Sequence, residues 1–457
     1  MEYIEHHTQG TLTLQLPELC IVQQGVEAPI TYVGSGRISQ REGRALYLSM
    51  LVKAPEGRNP LHDIFKLHDL IQNAVPGQPF PAENFFRIEG TDLGGISWSS
   101  ENLLINASGP HALGYFEITA KIDRIQTVHA LSHVNTSQYV RVFIPVEFEI
   151  PGPKGCVPNS FNRVLVKSPD DTTELEHNGR QWSFEKQRQW TVVMVSAEEK
   201  ICPARLAEEI CHALTFSFGQ ECRAAVVDYL DHGKKVCQLI SYQAIVRPKH
   251  RLPPLDERKR INMENFWRLF FAFTDAIERE RGDQWPSIVR STVSSTRIKE
   301  ASLEAKALVL CVEIESLIKA KFMQLYKPHE NVRQNLVALE RMLTDSKLPA
   351  DFLVRVRGAT GRLSEGRAQD VLQLLVQKGV LDEVEVKTWQ SLRNASAHGA
   401  RTSKSIDVYL TQVHRMHSLL HKLIFLLIGY QGRFTDYGAP GWVDRDFTPL
   451  FEHVVSG

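Results

Sequence analysis

The sequence predicts a multidomain α+β chain, with a β-rich N-terminal domain over 1–255 followed by an all-α helical bundle over 256–457. Three observations carry this reading. At 457 residues the chain exceeds one ordinary core, so two or three domains are expected. The first 150 residues hold short runs that alternate or are rich in β-branched and aromatic residues, whereas segments beyond 260 place apolar residues three and four apart. Between them, "RPKHRLPPLDERKR" (247–260) joins paired prolines to dense charge, a composition expected to pack no core.

In chain order, "GTLTLQL" (10–16), "ALYLSMLV" (45–52), "GYFEITAKI" (114–122) and "YVRVFIPVEFEI" (139–150) read as strands of a sandwich or barrel-like domain. "VGSGRIS" (33–39) has a Gly-x-Gly but neither a third glycine nor a following helix, so it reads as a turn and not a phosphate loop. Residues 151–255 mix strand signals with one helix candidate, "PARLAEEICHALTF". This α/β stretch reads as an extension of the 1–150 module.

The helices then follow: "NMENFWRLFFAFTDAIER", "KEASLEAKALVLCVEIESLIKAKFMQLY" (299–326), "VRQNLVALERMLTD", "AQDVLQLLVQKG", "DEVEVKTWQSLRNASAHG" and "SIDVYLTQVHRMHSLLHKLIFLLIGY". Leu303, Ala307, Leu310, Ile314, Leu317 and Ile318 mark the apolar stripe of the second, and Leu410, Val413, Leu420, Leu423 and Leu427 that of the last. Short joints between such helices argue for a bundle.

Composition restricts the class. Hydrophobic content of 43% and charged content of 23% are those of a globular chain. The start "MEYIEHHTQG" lacks a basic and apolar signal pattern, and the longest apolar run, "LLHKLIFLLIG", is too short and too charged to span a bilayer. Seven scattered cysteines form no CxxC pair, so a reducing cytoplasm is expected, with no disulfide framework, structural metal or cofactor. Net charge is zero, yet 297–430 carries 20 Lys and Arg against 14 Asp and Glu, an excess of 6. A basic half on a neutral chain suits an anionic partner such as RNA, and equally suits solvated helix faces.

The chemistry concentrates in "SLRNASAHGA" (391–400). Asp382 is placed to cap this helix, Val384, Leu392 and Ala395 give it an apolar stripe, and Gly399 is placed to end it. His398 then falls in the last turn, where unpaired carbonyls raise its pKa and ready it for proton transfer. Asn394 shares its face. Arg393 lies five residues away, roughly 140° around the helix, so two copies of the chain facing each other would assemble the set better than one. An arginine and a histidine without a carboxylate cluster suit RNA cleavage. The guanidinium holds the phosphodiester, the imidazole exchanges protons with the 2′-OH or the leaving 5′-oxygen, and no metal is needed.

The run "RNASAHG" before a long apolar helix resembles the R-N-x3-H signature of HEPN domains. "VEIESLI" (312–318) is similar to the acidic second-helix motif of that superfamily, and "LLIGYQGRFTDYGAPGW" (426–442) to the C-terminal end of its Apea-like family. The resemblance covers roughly 299–442. It implies an HEPN helical bundle and a metal-independent endoribonuclease, active as a homodimer in bacterial abortive anti-phage defence, with tRNA among the candidate substrates. It implies catalytic roles for Arg393 and His398, phosphate contact or orientation by Asn394, and a supporting role for Glu315. The N-terminal 255 residues would then sense a phage component, with a protein as the expected trigger.

The alternative is a non-catalytic binding or dimerisation protein that keeps the helices as a scaffold. His414, His417 and His421 share a helix flank but lack accompanying cysteines or acids, so packing is favoured over metal ligation. Trp389, Tyr437 and Trp442 could stack bases, and read better as packing residues.

Overall fold

In the computed structural model, the described residues are those outside 42–43, 54–61, 63–79, 112–114, 132–137, 151–163, 166–171, 188–189, 198–201, 243–251, 257–262, 281–286, 298–300, 398–404, 449–457 and the single positions 1, 147, 149, 232, 329 and 365. The chain divides into two compact units, one of residues 1–211 and 222–247, the other of 212–221 and 248–457.

The first unit opens with helix α1 (Glu2–Gln9), whose Ile4 and His7 are buried. Burial pushes the His7 imidazole down to about 4, and its Nε2 bonds the carbonyls of Ala225 (3.2 Å) and Ile240 (3.1 Å). Strands follow at β1 (Thr13–Gln23), β2 (Thr31–Gln40), β3 (Leu46–Lys53), β4 (Phe86–Thr91), β5 (Ser97–Leu103), β6 (Ile105–His111), β7 (Tyr115–Ile122), β8 (Arg124–Ala130) and β9 (Gln138–Ile144). Beyond them are β10 (Val164–Leu165), β11 (Thr172–His177), β12 (Arg180–Gln187) and β13 (Trp190–Ala197), then helix α2 (Pro203–Phe218), whose residues from His212 on belong to the second unit, β14 (Val226–Asp231) and β15 (Lys234–Ile240). All fifteen strands form a single sheet, in the order β10-β11-β12-β13-β9-β14-β15-β8-β5-β4-β1-β2-β3-β7-β6, with every pair antiparallel. The strands expected of a sandwich or barrel-like domain are thus all joined in one hydrogen-bonded sheet.

Alternation fixes the inner face. Leu46, Leu48, Met50 and Val52 of β3 are buried, and Leu48 and Met50 sit opposite the buried Ala120 and Ile118 of β7. Pro17 has no N–H for the ladder, and β1 slips register between Leu16 and Leu19 around it. The expected turn at 33–39 is corrected, because it lies inside β2. Its glycines serve close packing there, since a Cβ on Gly36 would meet Leu19 Cδ2 and the Ser49 carbonyl at 2.8 Å.

The second unit holds α3 (Met263–Arg279), α4 (Ser287–Arg297), α5 (Leu303–Lys321), α6 (Glu330–Thr344), α7 (Ala350–Ser364), α8 (Ala368–Gln377), α9 (Glu383–Ala397) and α10 (Ile406–Ile428), then the hairpin β16 (Gly432–Asp436) and β17 (Val443–Phe447). Ser302 caps α5, accepting from Ala305 N at 3.2 Å, and Gly429 ends α10 at a φ of 73°. Helix α5 packs against α4, α9 and α10.

The expected all-α HEPN bundle is overturned by this unit, which is mixed α and β. Phe434 and Phe447 of the hairpin pack on Phe425 of α10 at 5.8 and 5.3 Å, and Thr435 N donates to the Pro254 carbonyl at 2.9 Å. The cause is visible in "GRFTD" and "VDRDF", two alternating runs joined by a Gly- and Pro-containing turn. Nor do all the helices share one core. Helices α6 and α7 pack mainly on each other, and Leu343 is the single buried side chain described in α6. The boundary segment is corrected too: Pro253, Pro254, Leu255 and Asp256 are buried, and the Pro253 carbonyl accepts from Tyr437 Oη at 2.6 Å. Among the described residues, no helix is long and apolar enough to cross a membrane.

Candidate functional site

Helix α9 is seated by Val386, Trp389 and Leu392, all buried. This replaces the stripe expected from Val384, which is 55% exposed; three-residue steps from 386 set the buried line. Trp389 Nε1 donates to the Cys311 carbonyl of α5 at 3.3 Å, which anchors the middle of α9 and removes Trp389 as a base-stacking platform.

One turn further along each helix, the same pairing repeats in charged form. Arg393 follows Trp389 by four residues and Glu315 follows Cys311 by four, so the pairs stack in register. Arg393 Nε donates to Glu315 Oε2 at 2.7 Å and Nη2 donates to Oε1 at 3.2 Å. Lys319, four residues on again, brings Nζ to the same Oε1 at 2.8 Å. The Arg393 hydrogen bonds hold the Glu315 carboxyl down at about 2, with Lys319 adding to the effect. The same bonds raise the pKa of the guanidinium.

The guanidinium is gripped along its Nε–Nη2 edge and stands 5.7 Å from the Trp389 ring. Its Nη1 makes no bond among the described contacts, and the side chain is 46% exposed. A fork with one edge fixed and the other presented to solvent is a pre-set receptor for an anionic oxygen. Asn394 is exposed next to it.

Of the four predicted site residues, the structure thus joins Arg393 to Glu315 and leaves Asn394 beside them. His398 and Gly399 lie outside the described residues. Two further cations were not anticipated. One is Lys319, which the spacing of four from Glu315 would have revealed. The other is Arg290 of α4, whose Nη2 donates to Ser316 Oγ at 3.0 Å, a contact no local pattern announces.

The histidines of α10 pack. His414 lies 5.6 Å from Trp442 and His421 lies 5.8 Å from Phe216, and burial pushes His421 down to about 3. Among the described residues, no group of three His, Cys, Asp or Glu converges as a metal site would. Tyr437 is buried and meets Trp442 edge-on at 5.1 Å.

Compared with family models, curated proteins and solved structures, the chain matches none.

Proposed function

We propose that the chain is a metal-independent endoribonuclease. The observation that carries this reading is the Arg393 guanidinium, oriented by Glu315 and presenting its second edge at the end of the helix that leads into His398. Arg393 holds the scissile phosphodiester and offsets charge gathering on its oxygens. The 2′-oxygen attacks phosphorus and the bond to the 5′-oxygen breaks, leaving a 2′,3′-cyclic phosphate and a 5′-hydroxyl. His398 moves the proton between these oxygens, and Asn394 contacts the phosphate. Glu315 is a positioning residue, because it touches Arg393 and no substrate.

The R-N-x3-H run and its likeness to HEPN ribonucleases extend the proposal to a homodimer with both motifs in one cleft, acting in the bacterial cytoplasm in abortive anti-phage defence. The 1–255 region is assigned the sensing of a phage component. A second reading is favoured by the same ion pair: a bidentate Arg–Glu bond also clamps two helices in a scaffold without catalysis.

The deciding experiment compares wild type, Arg393→Ala and His398→Ala on mixed RNA and tRNA in EDTA. Loss of cleavage in both variants, with cyclic or 3′-phosphate products from wild type, is expected. Equal activity in all three removes these residues from catalysis, and phage protection retained by His398→Ala establishes the scaffold.

A further inference from the structure

The presented edge of Arg393 is one end of a wider charged feature. Glu315 and Ser316 are neighbours on α5, and each is reached by a cation from a flanking helix: Arg393 of α9 on Glu315 and Arg290 of α4 on Ser316. Lys319 lies one turn further on from both and shares Glu315 Oε1 with Arg393. Three cations are thus strung over about one turn of α5, and Glu315 is the single carboxylate contacting them among the described residues.

All three are open to solvent. Lys319 is 63% exposed, Arg393 is 46% exposed and Arg290 is also exposed. Neighbouring lysines pair one to one, Lys321 with Glu280 at 2.8 Å and Lys387 with Glu383 at 2.8 Å, whereas Lys319 and Arg393 share the single carboxylate of Glu315. Arg290 donates to a neutral hydroxyl and pairs with no carboxylate among the described residues. Discrete cations spread over three helices suit a chain of separated anions better than one small anion.

We propose that Arg290, Lys319 and Arg393 form a track for the backbone of single-stranded RNA, with Arg393 at the phosphodiester to be cut and Lys319 and Arg290 on the phosphates that follow along the strand. This deepens the ribonuclease reading and rests on it for the choice of RNA. Single strands are specified because in-line attack by a 2′-oxygen needs a nucleotide that can leave A-form stacking.

The test uses the full chain and a mixed-sequence, fully 2′-O-methylated single-stranded RNA, which lacks the internal nucleophile and stays intact. Binding is followed by fluorescence anisotropy across a KCl series. Three phosphate contacts on a single strand give a slope of log K against log[salt] of about −2. Lys319→Ala and Arg290→Ala should each flatten it by about 0.7 and weaken binding several-fold near 0.1 M salt, while melting like wild type. Lys387→Ala, whose charge Glu383 balances one to one, should change neither.

Unchanged slopes in both track variants overturn the proposal. So do absent binding by wild type and equal competition by duplex DNA. Unmodified RNA separates the two claims. Track-dependent binding without cleavage keeps the track and removes the nuclease, whereas cleavage with salt slopes indifferent to Lys319 and Arg290 keeps the nuclease and removes the track.

Discussion

Replacing Lys422 by methionine should expose how the start of α9 is held. Lys422 Nζ lies 2.9 Å from Glu385 Oε1 and 3.0 Å from Asp382 Oδ2. The Lys422 and Glu385 side chains are 6% and 4% exposed, whereas Asp382 is 54% exposed. Losing one partner of a buried pair costs about 3–5 kcal/mol, because the other charge stays desolvated and unpaired. The exposed Asp382 contact adds no more than about 1 kcal/mol. For a unit of this size, the melting temperature should fall by on the order of 10 °C.

The penalty should depend on pH, with a defined sign. Burial pushes the Glu385 carboxyl above the ordinary range against the pull of Lys422, so removing Lys422 pushes it higher. A carboxyl with a raised folded-state pKa binds its proton more tightly folded than unfolded. Its contribution is most favourable below the unfolded value and is lost as pH rises through the folded one. The gap between wild type and Lys422→Met should therefore narrow from pH 8 towards pH 5. Calorimetric melts over that range measure it, and a Lys422→Met/Glu385→Leu double variant should recover most of the loss. A penalty below about 1 kcal/mol, or one flat with pH, would refute the reasoning.

Glu315→Gln should cost no more than about 1 kcal/mol, since Arg393 is about half exposed. With the Glu315 carboxyl held at about 2, that difference should be constant above pH 5 and vanish as pH falls through about 2, in urea titrations at stepped pH. Gly36→Ala should destabilise the sheet by about 1–3 kcal/mol, read from the shift in its urea midpoint, because its Cβ has no room beside Leu19 and the Ser49 carbonyl. Among the described thiols, exposed Cys202 should react first with a disulfide reagent. Cys211, Cys237 and Cys311, each pushed up by burial to about 12, should react only on unfolding, as peptide mapping would register.

What the sequence made legible is what local periodicity controls. Two-residue alternation located β3 and β7, and three-four spacing located α5 and α10, because one buried face dictates each pattern. Helices α4 and α7 escaped. The first is "SIVRSTVSSTR", dense in β-branched and hydroxyl residues, and owes its helix to Ile288 and Val289 packing inward. The second contains Gly358 and Gly361. Strand β2 was hidden by glycines whose role lies across the ladder, and the burial of 253–256 by partners some 180 residues later, Thr435 and Tyr437. At the candidate site, Arg393 and Asn394 stood out by type and spacing. Glu315 entered only through the family resemblance, as its contact with Arg393 spans 78 positions. Arg290 carried no signal at all, since nothing near it in sequence marks Ser316 as its partner.

Helix α9 is tied at three levels: Glu385 to Lys422 in its first turn, Trp389 to the Cys311 carbonyl in its middle, and Arg393 to Glu315 one turn later. Glu385 and Arg393 are roughly 12 Å apart along the axis, so the guanidinium inherits its position from contacts well away from it. Its rotamer freedom is already spent on Glu315, and an anion taking the open edge need not freeze a long side chain, a cost of about 2 kcal/mol otherwise. Shape and charge can therefore be told apart at this position. In Arg393→Lys the ammonium has no planar fork, so it can neither hold Glu315 through two parallel bonds nor present a second edge in a fixed direction. Arg393→Lys should then bind and cleave RNA as poorly as Arg393→Ala, in the same anisotropy and cleavage assays. If lysine retains wild-type affinity and rate, positive charge alone is what the site needs, and the oriented fork is not the reason Arg393 is there.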